Sequence, residues 1–497
     1  MAAERRIGIL AFLAAAPALA IPFIADDWVN LAAVAERIPL RTPFSYFRPL
    51  YLGSFWAERR VWGLNSVAFH LTNVALIALC AALVVVVLRR LTDDPRWATA
   101  AGALFALHPY HVENAGWIAA RADVGATLLV LSAWLAYERW ESSGRGIPWI
   151  ALIAFEAALL FKESVVLFPV MVALLVALRR GPSRREALAG ILPLGAVAAL
   201  HFLVLRRAFL GDVGLGPART LGLGWIKRGI DFMSGAIVPV HAERIEAHAV
   251  VFALLAAGSL LLLAGLARGA LAGKSRAVVA SGLLFLTSLA PSLLSFQERY
   301  FFFPSVVSSA VLAYLLLRMP SRSRAVAGTL LLTVWVASLG AHWIGWIQAG
   351  RASRALVAGL AEASRRDGVG EIVIANQPYR VAGAPLAGDL GAAVRLSGGR
   401  DVRIVAATAL NLPSASADGI AGPLPRAAPF RLDVAMSRGT YSGVFLPLDR
   451  PPGTTRTEEF GTLTFPTRDR VIVEIRPEED GSRGAYAWRD GRLEKLF

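Results

Sequence analysis

Residues 74–88 read VALIALCAALVVVVL, a run without a single charge, and two further charge-free runs occupy 250–266 and 325–339. A bilayer core about 30 Å thick is crossed by roughly 20 apolar residues that rise about 1.5 Å each. These runs therefore predict helices that span a membrane. The N-terminal run, basic at Met1–Arg6 and apolar to Ile24, is typical of a signal peptide or of a first span. We expect a retained span, because the apolar run continues to Ile24.

The composition favours a membrane protein over a soluble one. Hydrophobic residues make up 56% of the 497 positions and charged residues 18%, whereas soluble domains have roughly 45–50% and about 25%. The net charge of +15 fits Lys and Arg flanking spans on the cytoplasmic side. No basic stripe interleaved with aromatic residues occurs in a soluble segment, so we expect no nucleic-acid partner. The single cysteine, Cys80, leaves the compartment undetermined.

Hydropathy and charge together predict an all-α polytopic membrane domain of about eleven spans over residues 1–346. The predicted spans are 7–24, 67–88, 97–109, 124–139, 147–161, 164–178, 188–207, 248–267, 276–295, 301–318 and 324–346. With the N-terminus in the cytoplasm, every short inside loop is basic. Residues 43–62 mix aromatic and basic side chains, which is typical of an amphipathic helix at the interface.

The last third of the chain has a different composition. Residues 347–365 are expected to be helical, and alternating apolar positions at 371–375, 402–406 and 471–475 predict short strands. Gly, Pro and Asp punctuate these runs. We predict a soluble α+β or β-rich domain over 347–497, on the outer side of the membrane if the number of spans is odd.

Charged and polar residues collect at the outer ends of the predicted spans. Asp26 and Asp27 follow the first span, where one carboxylate could act as a general base or both could end the helix in a solvated turn. Two readings are open for the segment 108–117, HPYHVENAGW: a metal site, or anchoring of Tyr110 and Trp117 at the interface. Charges inside or tightly between spans are costly unless they line a cavity. The candidates of this kind are Arg121, Asp123, Lys162, Glu163, Glu298 and Arg299, beside His108, His111, Glu113 and Tyr300.

The same residues carry a family resemblance in five ordered blocks over residues 26–305. They are the Asp26-Asp27-Trp28 motif with the RPL, WGLN and FHLTN segments at 48–73, the LHPYHVENAGW segment, RAD at 121–123, Lys162-Glu163, and ERY with Pro304-Ser305. Together they resemble the transmembrane O-mannosyltransferases, which carry tetratricopeptide repeats in animals and have bacterial relatives. This chain departs from them in its C-terminal third, which lacks the repeats, and the acceptor is therefore open.

The resemblance implies a GT-C fold and transfer of a sugar from a polyprenyl phosphate, with inversion, to an extracytoplasmic protein or glycan. It implies a base at Asp26 or Asp27, and the family usually needs no metal or other cofactor, although some GT-C relatives bind a metal. Donor-phosphate contacts are expected from Arg299, Arg121 and Lys162, because guanidinium and ammonium groups bind phosphate. We expect a bacterial inner-membrane protein with its C-terminal domain in the periplasm. The alternatives are a transporter or flippase, or a polymerase, of lipid-linked glycans; the loop 206–246 contains the arginines that a polymerase would need.

Overall fold

The computed structural model describes most of the chain. The described residues are 2–91, 94–143, 146–178, 184–210, 235–239, 284–290, 297–386, 388–414, 416–417, 419–420, 424–425, 430–435, 441–442, 446–447, 453–467 and 470–497. The predicted span 248–267, most of the span 276–295, and Arg219, Arg228 and Arg244 of the loop 206–246 lie outside them. The described chain divides into two compact units. The first contains 1–19 and 33–342, and the second contains 20–32 and 343–497.

The first unit is helical. Its helices are α1 (Ala2–Ala15), α3 (Pro49–Trp62), α4 (Ser66–Leu91), α5 (Pro95–Ala106), α6 (His111–Gly116), α7 (Arg121–Ser143), α8 (Trp149–Phe161), α9 (Phe168–Leu178), α10 (Arg184–Leu200), α11 (Arg206–Leu210), α12 (Phe302–Arg318) and the first part of α13 (Ser321–Arg366). Among the described residues, five helical stretches are long and apolar enough to cross a membrane: Ser66–Leu91, Ile118–Ser143, Ile191–Leu210, Glu298–Arg318 and Ser321–Arg366. The protein therefore has the helices of a membrane protein, and the predicted count of eleven spans is not confirmed.

The first predicted span, 7–24, differs from the structure. Helix α1 ends at Ala15, a 3₁₀ turn covers Ala16–Ala20, and an extended stretch leads to Asp26. Pro17 and Pro22 explain the interruption, since proline removes a backbone donor and crowds the preceding turn. The expected helix within 43–62 is present as α3, which buries Tyr51, Leu52, Phe55 and Glu58 on one face.

Close packing of the first unit depends on small residues. A Cβ atom at Gly102 of α5 would lie 2.3 Å from a methyl group of Val85 in α4 and 3.2 Å from one of Ile7 in α1. A Cβ atom at Gly125 of α7 would lie 2.5 Å from the ring of Phe161 at the end of α8. Small residues let membrane helices approach this closely. As a result, the start of α7 lies beside the end of α8, where Lys162 and Glu163 follow.

The second unit is β-rich and contains α2 (Asp26–Ala33), the end of α13 and α14 (Leu390–Leu396). Its strands are β1 (Glu371–Ile374), β2 (Gln377–Val381), β3 (Ala384–Pro385), β4 (Arg403–Ala406), β5 (Ala409–Leu412), β6 (Phe430–Ala435), β7 (Tyr441–Ser442), β8 (Leu446–Pro447), β9 (Thr454–Glu458), β10 (Gly461–Thr467), β11 (Arg470–Ile475), β12 (Arg483–Arg489) and β13 (Arg492–Lys495). The sheet orders are β13-β12-β1-β4, β6-β11-β10-β9 and β3-β2-β5-β7-β8. The three strands expected from alternation are present as β1, β4 and β11.

The first sheet is mixed, and a buried side chain hydrogen-bonds to the backbone at its end. Strand β1 runs parallel to β12 and β4, and β13 pairs antiparallel with β12. The amide of Asn376 donates to the carbonyl of Trp488 and accepts from its N–H, both at 2.8 Å. This reciprocal pair satisfies backbone groups beyond the end of β1, which buried polar groups require.

Candidate active site

Arg299 is held in place by the segment that follows α5. The carboxylate of Glu113 in α6 accepts from the backbone N–H of Arg299 at 2.9 Å and from its Nη1 at 3.1 Å. The amide of Asn114 donates to the carbonyl of Arg299 at 3.3 Å. The guanidinium lies 4.0 Å from the ring centroid of Trp117. Backbone and side chain of Arg299 are thus positioned together, and 14% of the side chain remains exposed.

Lys162 forms the second ion pair of this region. It follows α8, and its ammonium lies 2.5 Å from the Oδ1 atom of Asp123 in the first turn of α7. The ammonium also lies 4.2 Å from the ring centroid of Tyr300, which the Arg299 guanidinium approaches to 5.0 Å. The electron-rich ring faces of aromatic residues attract cations. Tyr300 therefore joins the two cations into one cluster.

Burial controls the protonation of Lys162, which lies in the connection between two apolar helices. Removal from water disfavours the ammonium and lowers the pKa of Lys162 to about 8. The carboxylate of Asp123 acts in the opposite direction, while the positive charges of Arg48 and Arg299 add to the lowering. A lysine in this state changes its charge close to neutral pH.

Arg48 and Glu163 form the third pair. Arg48 precedes α3, and its Nε and Nη2 atoms donate to the two carboxylate oxygens of Glu163 at 2.9 and 2.6 Å. Burial disfavours the charge on Arg48, but the Glu163 carboxylate overcomes this effect and raises the pKa of the guanidinium. The two partners keep 14% and 31% of their side chains exposed.

We call these six charged residues and Tyr300 the ion-pair cluster. Its members are Arg48, Glu113, Asp123, Lys162, Glu163, Arg299 and Tyr300. The three cations and three carboxylates balance in formal charge. Ion pairs withdrawn from water are a weak source of stability, because desolvation offsets their attraction. A cluster of this kind is better suited to binding a charged ligand, since its cations are already placed.

Some buried polar atoms in or beside the ion-pair cluster have no hydrogen-bond partner among the described residues. They include the Oδ2 atom of Asp123 and the indole Nε1 of Trp117. Buried polar groups are normally satisfied, and the exceptions call for an explanation. The ion-pair cluster thus offers at least one acceptor and one donor beyond its internal bonds.

Arg121 and Asp123, which could have paired with each other, have different partners. Arg121 has no exposed side-chain surface and lies 2.9 Å from the carboxylate of Glu58. Its Nε donates to Asn73 at 2.6 Å, and its Nη2 donates to the carbonyl of Phe69 at 2.9 Å. These bonds brace α3, α4 and α7 against one another. A direct phosphate contact by Arg121 stays a prediction, and the geometry favours bracing.

The histidines of the 108–117 segment are packed inside the first unit. His111 lies 2.9 Å from the hydroxyl of Ser305, and His108 packs between the rings of Phe301 and Trp335. Tyr110 and Trp117 are both buried by protein. Glu298 lies 3.3 Å from His342 of α13. Within the described part of the chain, no group of three or more His, Cys, Asp or Glu side chains could hold a metal ion.

Asp26 and Asp27 belong to the second unit, where they begin α2. The two carboxylates differ in environment. Asp27 is fully buried, and its Oδ2 accepts from the N–H of Ile24 at 3.0 Å. Asp26 is partly exposed. The proposed roles of both residues remain predictions.

Several residues of the site were not among the candidates from sequence, although Arg48, Asn73 and Trp117 lie in segments quoted above. These three residues, with Glu58 and His342, contact the candidate residues. His342 carried a usable signal, since an ionisable residue inside an apolar span is a functional candidate by default. The roles of Glu58 and Asn73 depend on contacts between distant helices, which local patterns do not contain.

The fold and the ion-pair cluster together define an α-helical membrane protein with a braced, partly buried charge cluster, and comparison with known proteins identifies its relatives. The chain is 41% identical over 91 residues to mouse protein O-mannosyl-transferase TMTC2, covering 18% of this chain and 11% of the relative. It is 38% identical over 128 residues to the Drosophila melanogaster Tmtc2 enzyme (24% and 14% covered), and 35% over 121 residues to the Tmtc1 enzyme of that fly (24% and 14%). These homologues are protein O-mannosyl-transferases of the GT-C superfamily. The match spans about a seventh or less of their length, and no protein-family model matches the chain.

Proposed function

We propose that this protein is a membrane glycosyltransferase. It moves a sugar, mannose or another hexose or pentose, from a polyprenyl phosphate to a hydroxyl group of an extracytoplasmic protein or glycan, with inversion. The observation that carries the proposal is the ion-pair cluster, in which Arg299 and Lys162 share the ring of Tyr300. The homology to protein O-mannosyl-transferases supports the same class of reaction.

The chemistry of the donor matches such a cluster. The phosphate of a polyprenyl-phosphate sugar is a diester with one negative charge, and its charge grows as the bond to the sugar breaks. Placed cations stabilise charge that develops in the transition state, and one such donor typically contributes about 10²–10³-fold in rate. Arg299, Lys162 and Arg48 are the groups proposed to do this. Their carboxylate partners keep them oriented when no donor is bound.

The two buried polar atoms of Trp117 and Asp123 that have no partner among the described residues suit the same ligand. The indole N–H of Trp117 could donate to a phosphate oxygen, and the Oδ2 atom of Asp123 could accept from a sugar hydroxyl. Burial strengthens the preference for such partners, because an unsatisfied buried polar group is costly. The proposal therefore assigns Trp117 to the phosphate and Asp123 to the sugar.

The reaction is a single displacement. Asp26 or Asp27, the base that the resemblance implies, takes the proton of the acceptor hydroxyl. The hydroxyl oxygen attacks the anomeric carbon from the face opposite the phosphate, and a new carbon–oxygen bond forms. The bond from the anomeric carbon to the phosphate oxygen breaks, and the electron pair leaves with the polyprenyl phosphate. The proposed reaction uses no metal ion or other cofactor, so a chelator is expected to leave the rate of transfer unchanged.

The proposed location is a bacterial inner membrane with the second unit in the periplasm. The basic residues flanking the predicted spans support this orientation through the positive-inside rule. It would place the ends of the helices that carry the ion-pair cluster on the outer side, where a lipid-linked sugar is presented.

The test is a transfer assay with purified protein in lipid. Radiolabelled polyprenyl-phosphate sugars and total periplasmic protein serve as donor and acceptor, with the wild type beside Asp26→Asn and Asp27→Asn. Transfer of label by the wild type supports the proposed glycosyltransferase activity. Loss of transfer in at least one of the two variants, with that variant still folded, supports the proposed base. If no donor is consumed but the protein speeds movement of a lipid-linked sugar across a vesicle membrane, the transporter or flippase replaces the enzyme.

A further inference from the structure

Within the second unit, the segment that carries Asp26 and Asp27 pairs with the β-rich domain. The N–H of Ala25 donates to the carbonyl of Leu386 at 3.1 Å, just after strand β3. Residues 20–32 therefore belong to the same compact unit as residues more than 300 positions later in the chain.

At position 388, which contacts this segment, only glycine fits without a clash. A Cβ atom at Gly388 would lie 2.8 Å from the carbonyl oxygen of Ala25, 2.9 Å from its carbonyl carbon and 3.3 Å from the nitrogen of Asp26. Those atoms are backbone, so they cannot turn aside as a flexible side chain would. Any side chain at Gly388 must displace the peptide that enters Asp26.

Helix α13 holds the same segment at a second place. A Cβ atom at Gly350 would lie 2.9 Å from the Cδ atom of Pro22 and 3.2 Å from a methyl group of Ile21. The hydroxyl of Ser353 donates to the carbonyl of Phe23 at 3.4 Å. The segment is thus in contact with α13 at 21–23 and with the β-rich domain at Ala25.

The turn at residues 24–27 gives the two carboxylates different environments. Ala25 has a φ of +43°, a left-handed conformation that is strained for a residue with a Cβ atom. Asp27 closes the turn, since its N–H donates to the carbonyl of Ile24 at 2.9 Å and its Oδ2 accepts from the N–H of Ile24 at 3.0 Å. Asp27 is buried by this arrangement, while Asp26 keeps exposed surface.

We infer that the β-rich domain and α13 position the segment 20–32, so that Asp26 is the base while Asp27, Gly350 and Gly388 are positioning residues. This inference rests on the proposed function and deepens it. Strained backbone persists where the surrounding structure holds it, and such sites are often functional. A misplacement of about 1 Å can cost roughly 10²-fold in rate. Contacts within the second unit would then position the base for the chemical step.

The experiment compares four glycine variants in the transfer assay. Gly388→Ala and Gly350→Ala force the segment away from its two contacts. Gly370→Ala is the matched control in the β-rich domain, where a Cβ atom would lie 3.8 Å from its nearest neighbour, the carbonyl oxygen of Ser482. Gly340→Ala is the matched control in α13, where the described residues leave a Cβ atom nothing within 4 Å.

The expected result is a fall in kcat of roughly 10²-fold for Gly388→Ala and Gly350→Ala, with the KM for the donor unchanged and both variants still folded. Hydrogen exchange at the amide of Ala25 should become faster in Gly388→Ala. Both controls should match the wild type. Asp26→Asn should lower kcat by roughly 10²–10⁴-fold, whereas Asp27→Asn should retain most of it, because its side-chain oxygen can still accept from Ile24.

Three outcomes would overturn the inference. The first is full kcat in Gly388→Ala and Gly350→Ala despite faster exchange at Ala25. The second is loss of the fold in both variants while both controls fold, which would make these contacts structural only. The third is an inactive Asp27→Asn beside an active Asp26→Asn. If instead both aspartate variants stay active, the base in the proposed function is wrong, and exchange at Ala25 still reports whether Gly388 holds the segment.

Discussion

Arg48 and Glu163 are 115 residues apart in the chain, and the guanidinium of one binds both carboxylate oxygens of the other at 2.9 and 2.6 Å. The pair ties the start of α3 to the connection after α8, directly beside Lys162. A bidentate pair fixes direction as well as distance, and lysine cannot reproduce it. The orientation of the ion-pair cluster therefore depends on Arg48, which precedes α3.

The first prediction concerns this pair. Arg48→Lys should lower kcat/KM for the donor about tenfold, since a hydrogen bond to a charged group contributes about 1.5–3 kcal/mol and one of two is lost. Arg60→Lys, on the exposed face of α3, is the control and should leave the rate unchanged. Rates of label transfer and melting temperatures of both variants check this. Equal rates for the two variants would remove Arg48 from the site.

The second prediction concerns Arg299. Arg299→Ala should lower kcat by about 10²–10³-fold, the effect of removing one group that stabilises developing charge. Arg318→Ala, at the exposed opposite end of the helical stretch Glu298–Arg318, is the matched control. Single-turnover measurements with saturating donor separate binding from chemistry. A normal kcat with weakened donor binding would assign Arg299 to the ground state alone.

The third prediction is a pH dependence. The pKa of Lys162 is lowered to about 8, so its ammonium is charged below that pH and neutral above it. If the charge assists the phosphate, kcat/KM falls as the pH rises through about 8, because kcat/KM reports the free enzyme. Lys162→Arg should remove this alkaline limb, since arginine keeps its charge. Lys495→Arg is the control, and a limb that persists in Lys162→Arg would belong to another group.

The fourth prediction separates stability from catalysis. Arg121 has no exposed surface and is bound by Glu58, Asn73 and the carbonyl of Phe69. Arg121→Ala strands the Glu58 charge, and breaking a buried pair typically costs about 3–5 kcal/mol. Thermal unfolding in detergent should show a large loss for Arg121→Ala and a smaller one for Arg299→Ala, because Glu113 keeps its bond to the backbone N–H of residue 299. A stable but inactive Arg121→Ala protein would instead support the phosphate contact predicted from sequence.

Several membrane helices and three of the strands were predictable from local patterns, whereas the pairing within the ion-pair cluster was not. The run 74–88 predicted α4 because an apolar stretch has one stable solution in a bilayer, a helix that satisfies its own backbone. Alternation predicted β1, β4 and β11 for a similar local reason. The first span was predicted too long, since hydropathy does not register the backbone effects of Pro17 and Pro22.

The sequence by itself determined that the protein has membrane-spanning helices, a β-rich C-terminal region and a set of charges that such helices rarely tolerate. It also contained the motifs shared with protein O-mannosyl-transferases. Only the tertiary structure decided which charges pair: Arg121 with Glu58 rather than Asp123, and Lys162 with Asp123. It also decided that Asp27 is buried in a turn while Asp26 is not. The physical reason is that hydropathy and periodicity depend on neighbours in the chain, while an ion pair and a buried turn depend on segments that only folding brings together.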